Sequence, residues 1–194
     1  MDRVQYQLIA LLGLAACGAD ARARDTGSVV DSIVPREVAL AQFRAGLPEV
    51  TWLAGGAPSR QALVREFVTA LASGDTAALR ALTLSRAEFA WLYYPTTPQG
   101  LPPYDLSPGL MWTMLELNSE RGLRHALAEY GGRATRYVSH TCDQRASYEG
   151  ANTVYGPCVV RLRVAGDIAE QRLFGLIVNR DSRFKFVSFA NKLD

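Results

Sequence analysis

The spacing of apolar residues changes at Gly131 and Gly132. Before this pair, as in residues 63–71, apolar side chains recur every three to four positions, which is typical of one face of a helix. After it, as in residues 160–164, they alternate with arginines, which is typical of a strand with one buried face. Helices followed by an antiparallel meander predict an α+β fold, in which N-terminal helices pack on a curved, cone-like antiparallel sheet of four strands.

Capping and helix-breaking residues place the individual elements. Ser59 is an N-cap residue for a helix that ends at Gly74, and Asp75 caps a short second helix. Ser85 and Glu88 have the spacing of a capping box, which predicts the start of a third helix. The other predicted elements are a helix at 107–130 and four strands at 133–143, 153–165, 168–179 and 183–190.

A short apolar run follows the charged residues at the N-terminus. Residues 8–16 reach about half of the roughly 20 residues needed to span a bilayer, which predicts a signal peptide over residues 1–16. The segment Leu14-Ala15-Ala16-Cys17 resembles the lipobox of bacterial lipoproteins. The resemblance implies cleavage before Cys17, lipidation of its thiol and attachment to a membrane through the acyl chains. The alternative is a buried or free cysteine after an apolar helix.

The residues after Cys17 bear on the compartment and on the domain boundary. Gly18 stands where an aspartate would suggest inner-membrane retention, so the resemblance implies the cell envelope, at the outer membrane facing the periplasm. Small and polar residues follow, with too little apolar surface to offset the entropy of ordering. We expect residues 17–57 to be a lipidated tether with a short helix at 36–47, and residues 58–194 to be a single α+β domain.

Two further cysteines lie symmetrically about Gly150. An ungapped hairpin centred there places Cys142 directly opposite Cys158, so a cross-strand disulfide is predicted, which would persist in an oxidising compartment. The alternative is a redox or nucleophilic thiol, but no Cys-x-x-Cys spacing occurs.

Composition and motifs exclude several classes of function. The 21 Lys and Arg residues nearly balance the 19 Asp and Glu residues, which argues against a nucleic-acid partner. No glycine-rich phosphate loop, no Gly-x-Ser-x-Gly motif and no His-Glu-x-x-His motif occurs. We therefore expect no metal and no cofactor.

His140 is the candidate for acid–base chemistry. Alternation along the first predicted strand places it on the same face as Cys142, where a histidine could act as a general base. Tyr137 and Asp143 lie an odd number of residues away, so we expect them on the opposite face. The alternative is a neutral histidine that is hydrogen-bonded at the edge of the core.

Aromatic residues gather around the proline-rich segment between the third and fourth predicted helices. Aromatics beside a rigid loop at the mouth of a cone could line an apolar pocket. Ordinary core packing is the alternative. The candidate pocket residues are Trp91, Tyr94, Tyr104, Trp112 and His140.

The order of elements and the segment at 67–79, Phe-Val-Thr-Ala-Leu-Ala-Ser-Gly-Asp-Thr-Ala-Ala-Leu, resemble the nuclear transport factor 2-like (SnoaL-like, cystatin-like) superfamily. The resemblance covers residues 59–194 and implies a long helix, a Ser-Gly-Asp corner and long curved strands. That superfamily includes both enzymes and binding modules, so the fold does not select a function. We expect a membrane-anchored envelope lipoprotein that is a non-catalytic module for a small apolar ligand or an envelope protein. The alternative is a small isomerase-like or dehydratase-like enzyme with His140 as general base.

Overall fold

The computed structural model of the protein describes residues 34–143 and 145–191. The predictions for the signal peptide, for Cys17 and for the first part of the tether lie outside the described residues. The described helices are α1 (Arg36–Arg44), α2 (Arg60–Ser73), α3 (Thr76–Ala81), α4 (Arg86–Glu88) and α5 (Pro108–Tyr130). A π-helical turn, Phe89–Tyr93, and two 3-10 turns, Tyr94–Thr96 and Pro98–Gly100, connect α4 to α5.

The predicted helix starts are confirmed by their capping hydrogen bonds. The side chains of Ser59, Asp75 and Ser107 each accept a hydrogen bond from a backbone N–H of the first turn of α2, α3 and α5. At the end of α2, Gly74 takes a φ of 72°, a left-handed conformation that favours glycine. Local sequence signals therefore suffice to place these helices.

Seven antiparallel strands form two sheets. The strands are β1 (Thr135–Cys142), β2 (Ser147–Glu149), β3 (Asn152–Tyr155), β4 (Cys158–Val164), β5 (Asp167–Gln171), β6 (Ile177–Arg180) and β7 (Arg183–Phe186). One sheet has the order β1-β4-β5 and the other has the order β2-β3-β6-β7. Together with the helices, they make the fold α+β, as the sequence predicts.

The two sheets replace the single sheet of four strands that we expected. The second predicted strand, 153–165, is divided at Gly156 and Pro157, because proline has no N–H for a ladder hydrogen bond and Gly156 has a φ of 138°. The third predicted strand, 168–179, ends as β5 and resumes as β6. Each of these two strands therefore contributes its first half to one sheet and its second half to the other.

Two apolar clusters fill the interior. The first cluster joins α2, the second half of α5 and both sheets, and the rings of Phe67, Phe174, Phe186 and Phe189 lie at its centre. The second cluster joins α1, the π-helical turn and the first half of α5 around the buried ring of Phe89. Burial of these aromatic rings supplies the main driving force for packing the helices on the sheets.

Residues 34–57 belong to the compact unit, which begins at Val34 and not at residue 58 as we expected. Leu40, Phe43 and Leu53 are buried in the second cluster. Ala57 and Phe184 exchange two backbone hydrogen bonds, of 3.0 and 2.9 Å. Burial of these apolar side chains thus offsets the entropic cost of ordering the segment. The small and polar residues around them make this hard to recognise in the sequence.

Arg44 attaches α1 to the π-helical turn. The N–H of Tyr94 donates to the carbonyl of Phe89, and residue 95 is a proline, so the carbonyl of Ala90 receives no helical hydrogen bond. The Nε and one terminal nitrogen of Arg44 donate to this carbonyl at 3.1 and 3.0 Å. Its guanidinium also lies over the ring of Trp91, with 4.0 Å between Cζ and the ring centroid.

Within the described residues, no helix is both long enough and apolar enough to cross a membrane.

Candidate functional site

His140 lies in a surface groove between α2 and β1. The groove has a volume of about 450 Å³, and its walls are Arg60 and Gln61 from the first turn of α2 and residues 137–142 of β1. His140 is half-buried there. The groove is the candidate functional site because it holds the one residue that the sequence singles out for chemistry.

A β-bulge brings Tyr137 and His140 together. Tyr137 pairs with Leu162 and Ser139 pairs with Arg161, so Val138 is an extra residue without a partner. The bulge reverses the alternation, and Tyr137 therefore lies on the face of His140, contrary to our expectation. The Tyr137 hydroxyl lies 2.9 Å from Nδ1 of His140. Since Val138 is itself apolar and suits either face, the sequence carries no sign of the bulge.

The surroundings keep the imidazole neutral. Burial lowers the pKa of His140, and the positive charge of Arg60 lowers it further. Arg60 lies over the ring of Tyr155 at 4.3 Å, and Arg65 lies over the ring of Tyr137 at 5.3 Å. No carboxylate is among the residues that line the described groove. The groove thus lacks the negative group that would stabilise a protonated histidine during base catalysis.

A disulfide bounds one end of the groove. Cys142 of β1 and Cys158 of β4 are directly opposed in register and are joined by a disulfide bond. This is the pair that the symmetry about Gly150 predicts. The bond links the last residue of β1 to the first residue of β4, at one edge of the sheet β1-β4-β5.

The five candidate pocket residues lie in different places. Tyr94 is buried in the second cluster and its hydroxyl donates to the carbonyl of Leu106 at 2.8 Å. Trp91 and Trp112 pack on the same cluster, Tyr104 is 64% exposed, and His140 lies in its own groove. In the part of the chain that the structure describes, these side chains therefore do not surround a common cavity.

Glu88 is a buried carboxylate that joins three parts of the fold. Its Oε2 completes the predicted capping box by accepting the N–H of Ser85 at 2.7 Å, and its Oε1 accepts the N–H of Ala54 at 2.7 Å. The Nζ of Lys185, on β7, lies 3.0 Å from Oε2. The side chains of Lys185 and Glu88 are only 6% and 1% exposed. The capping box is visible in the sequence, but its buried cationic partner is not.

Glu149 is the centre of a second buried polar group that the sequence does not reveal. Burial raises the pKa of this carboxyl, while the hydroxyl of Ser147, which donates to its Oε1 at 3.2 Å, acts in the opposite direction. Burial and the charge of Glu149 together raise the pKa of Tyr93 to about 12. Nearby, the side-chain amide of Asn152 donates to the carbonyl of Leu92 at 2.7 Å. The bond from Asn152 to Leu92 attaches the hairpin of β2 and β3 to the π-helical turn.

Among the described residues, no group of three or more His, Cys, Asp or Glu side chains is arranged to hold a metal ion. Comparison of the chain with protein-family models, with curated proteins and with solved structures finds no match.

Proposed function

We propose that this protein is a lipid-anchored lipoprotein of the cell envelope, whose nuclear transport factor 2-like domain is a non-catalytic binding module. The observation that carries the proposal is the lipobox-like segment Leu14-Ala15-Ala16-Cys17, after an apolar run too short to span a bilayer. The compact unit begins at Val34, 17 positions after Cys17, so an acyl group on that cysteine leaves the domain free to fold. Gly18 favours the outer membrane, on the side that faces the periplasm.

The arrangement of the strands supports the proposed fold family. The two sheets share the second and third predicted strands, so they follow the course of four long, bent strands after a set of helices. The Ser-Gly-Asp corner at residues 73–75 ends α2 and caps α3, as in the family pattern. Both features are expected of a cone-like sheet that is packed against N-terminal helices.

The contents of the interior favour a binding role without catalysis. Aromatic side chains fill both apolar clusters, and the groove of His140 offers cationic and neutral donors without a carboxylate. A surface ligand or an envelope protein therefore suits the domain better than a small apolar molecule enclosed within it. Native mass spectrometry of the protein purified from its host membranes would detect such a partner as a defined increase in mass.

The test of the anchor is metabolic labelling with a palmitate analogue in a host that processes lipoproteins. We expect the protein to be labelled and to be found in the membrane fraction. Cys17→Ala should abolish the label, whereas a variant with both Cys142→Ala and Cys158→Ala should keep it, because only Cys17 is acylated. An unlabelled chain that retains residues 1–16 would refute the proposal.

A second candidate function follows from the contact between Tyr137 and His140. A neutral imidazole beside a phenol in an open groove could move a proton in an isomerase-like or dehydratase-like reaction. His140→Gln and Tyr137→Phe test it. Loss of a cellular phenotype in both variants, at normal abundance and normal thermal stability, would favour the enzyme over the binding module.

A further inference from the structure

Eleven large apolar side chains of the described residues are exposed, and six of them lie on α1 and α5 or in the segments that precede these helices. Three of them, Leu110, Met114 and Leu117, are spaced i, i+4 and i+7 on α5 and therefore lie on one face of that helix. Three more precede them, at the start of α1 and in the loop before α5. We name as the α1–α5 face these six residues, which are between 46% and 64% exposed: Val34, Val38, Tyr104, Leu110, Met114 and Leu117.

The segment before α1 and the first turn of α5 share one surface groove. The helix α1 packs on α5. Val34 lines a shallow groove together with Ser107, Pro108 and Gly109, which form the first turn of α5 and its N-cap. Tyr104 precedes that N-cap by only three residues. If a fully exposed large apolar side chain presents about 120 Å², these six side chains together expose about 380 Å², within the size range of the largest and often functional patch on a monomer.

Charges of both signs stand close to these residues in the sequence: Arg36 and Glu37 on α1, and Glu116, Glu120, Arg121 and Arg124 on α5. The surroundings are therefore not of one sign, and a partner that carries a strong single charge would gain little here. The face instead has an apolar centre and the phenol of Tyr104, which suits the boundary between lipid headgroups and acyl chains.

The length of chain between Cys17 and Val34 favours a membrane as the occupant. Residue 34 lies on the α1–α5 face and follows Cys17 by 17 residues, a length of chain that can span at most about 60 Å. A lipid on Cys17 would hold this face at millimolar effective concentration beside the bilayer, so that even weak contact is occupied. We propose that the α1–α5 face rests on the membrane surface, with its apolar side chains in the interface. This inference depends on the proposed lipid anchor.

Photo-crosslinking in the intact lipoprotein tests the inference. A benzophenone amino acid replaces Leu117 or Tyr104 in the full chain, which is expressed in its host and irradiated; intact-mass spectrometry then detects attached phospholipid as a mass added beyond the acyl groups on Cys17. We expect phospholipid to be attached at both positions, at least five-fold more than from Ile168. Ile168 is the matched control because it is 43% exposed on β5, outside the face. A product at twice the mass of the chain, or at the mass of another protein, would overturn the inference.

A second variant measures the contribution of the helix face. The triple variant replaces the three apolar residues of α5 by glutamine, which keeps helix propensity: Leu110→Gln, Met114→Gln and Leu117→Gln. The ratio of docked to undocked protein should fall about 100-fold. The lipid crosslink from position 104 should then fall to the control level. An unchanged crosslink would overturn the inference. Palmitate labelling of Cys17 in the same samples separates the two proposals. A labelled chain without lipid crosslinks refutes the docked face alone, and an unlabelled chain refutes the anchor.

Discussion

Replacement of Lys185 by methionine should be among the most damaging single changes to this fold. The change leaves the Glu88 carboxylate buried with two backbone donors but without its only cationic partner at 3.0 Å. Removing one member of a buried ion pair costs about 3–5 kcal/mol, because the remaining charge has neither water nor a counter-charge. For a compact unit of this size, the melting temperature should fall by about 10 °C.

Urea unfolding of Lys185→Met, of Glu88→Gln and of the double variant measures the effect. The double variant removes both charges and leaves neither one unpaired. Its loss in free energy of unfolding should therefore be smaller, by at least about 2 kcal/mol, than the sum of the losses in the two single variants. Arg161→Met is the matched control. Arg161 and Glu170 are also 2.9 Å apart but are about half exposed, so this change should cost less than about 1 kcal/mol. If Lys185→Met costs no more than Arg161→Met, the reasoning from burial is wrong.

Three further predictions concern other contacts. Arg44→Ala should lower the free energy of unfolding, measured in urea, by about 2 kcal/mol, because it leaves the Ala90 carbonyl without a donor and removes the contact with Trp91. A loss below about 0.5 kcal/mol would contradict the importance of these two contacts. The unfolded, unreduced protein should show no free thiol from Cys142 or Cys158, and reduction should lower the free energy of unfolding by about 3 kcal/mol for a loop of 16 residues; two thiols that titrate at these positions would contradict the bond. Because the pKa of His140 is lowered in the folded state, the unfolded chain protonates first, and stability should decline as the pH falls through about 6.5. Between about pH 7.5 and 5.5, the free energy of unfolding of His140→Gln should fall by less than that of the parent chain. Equal losses would argue against a lowered pKa of His140. The raised pKa of Glu149 acts in the opposite direction, but it affects both proteins equally and cancels in this comparison.

The capping box shows where sequence reasoning succeeds and where it stops. Ser85 and Glu88 lie three residues apart, and that spacing alone predicts the hydrogen bonds that start α4. The Lys185 contact spans 97 residues and the Arg44 contact spans 46, and neither has a periodic or local signature. Since a lysine or arginine is expected at the surface, its burial can be recognised only from the structure.

In the candidate site too, one contact could be predicted from the sequence and another could not. The symmetry of the two cysteines about Gly150 predicts that Cys142 pairs with Cys158, and the structure has this bond. The hairpin between them is not ungapped, however, because β2 and β3 pair about a point between Gly150 and Ala151. The partner of His140 could not be found in this way, because one extra residue at Val138 reverses the face of every side chain on one side of it.

By itself, the sequence determined the helix starts, the α+β class and the cysteine pairing, because each depends on neighbouring residues or on a simple hairpin count. Only the tertiary structure decided that residues 34–57 join the domain, that two strands divide between two sheets and that Tyr137 meets His140. These outcomes depend on which distant side chains together exclude water from a shared interior. That choice is made by the whole chain at once, and no short segment encodes it.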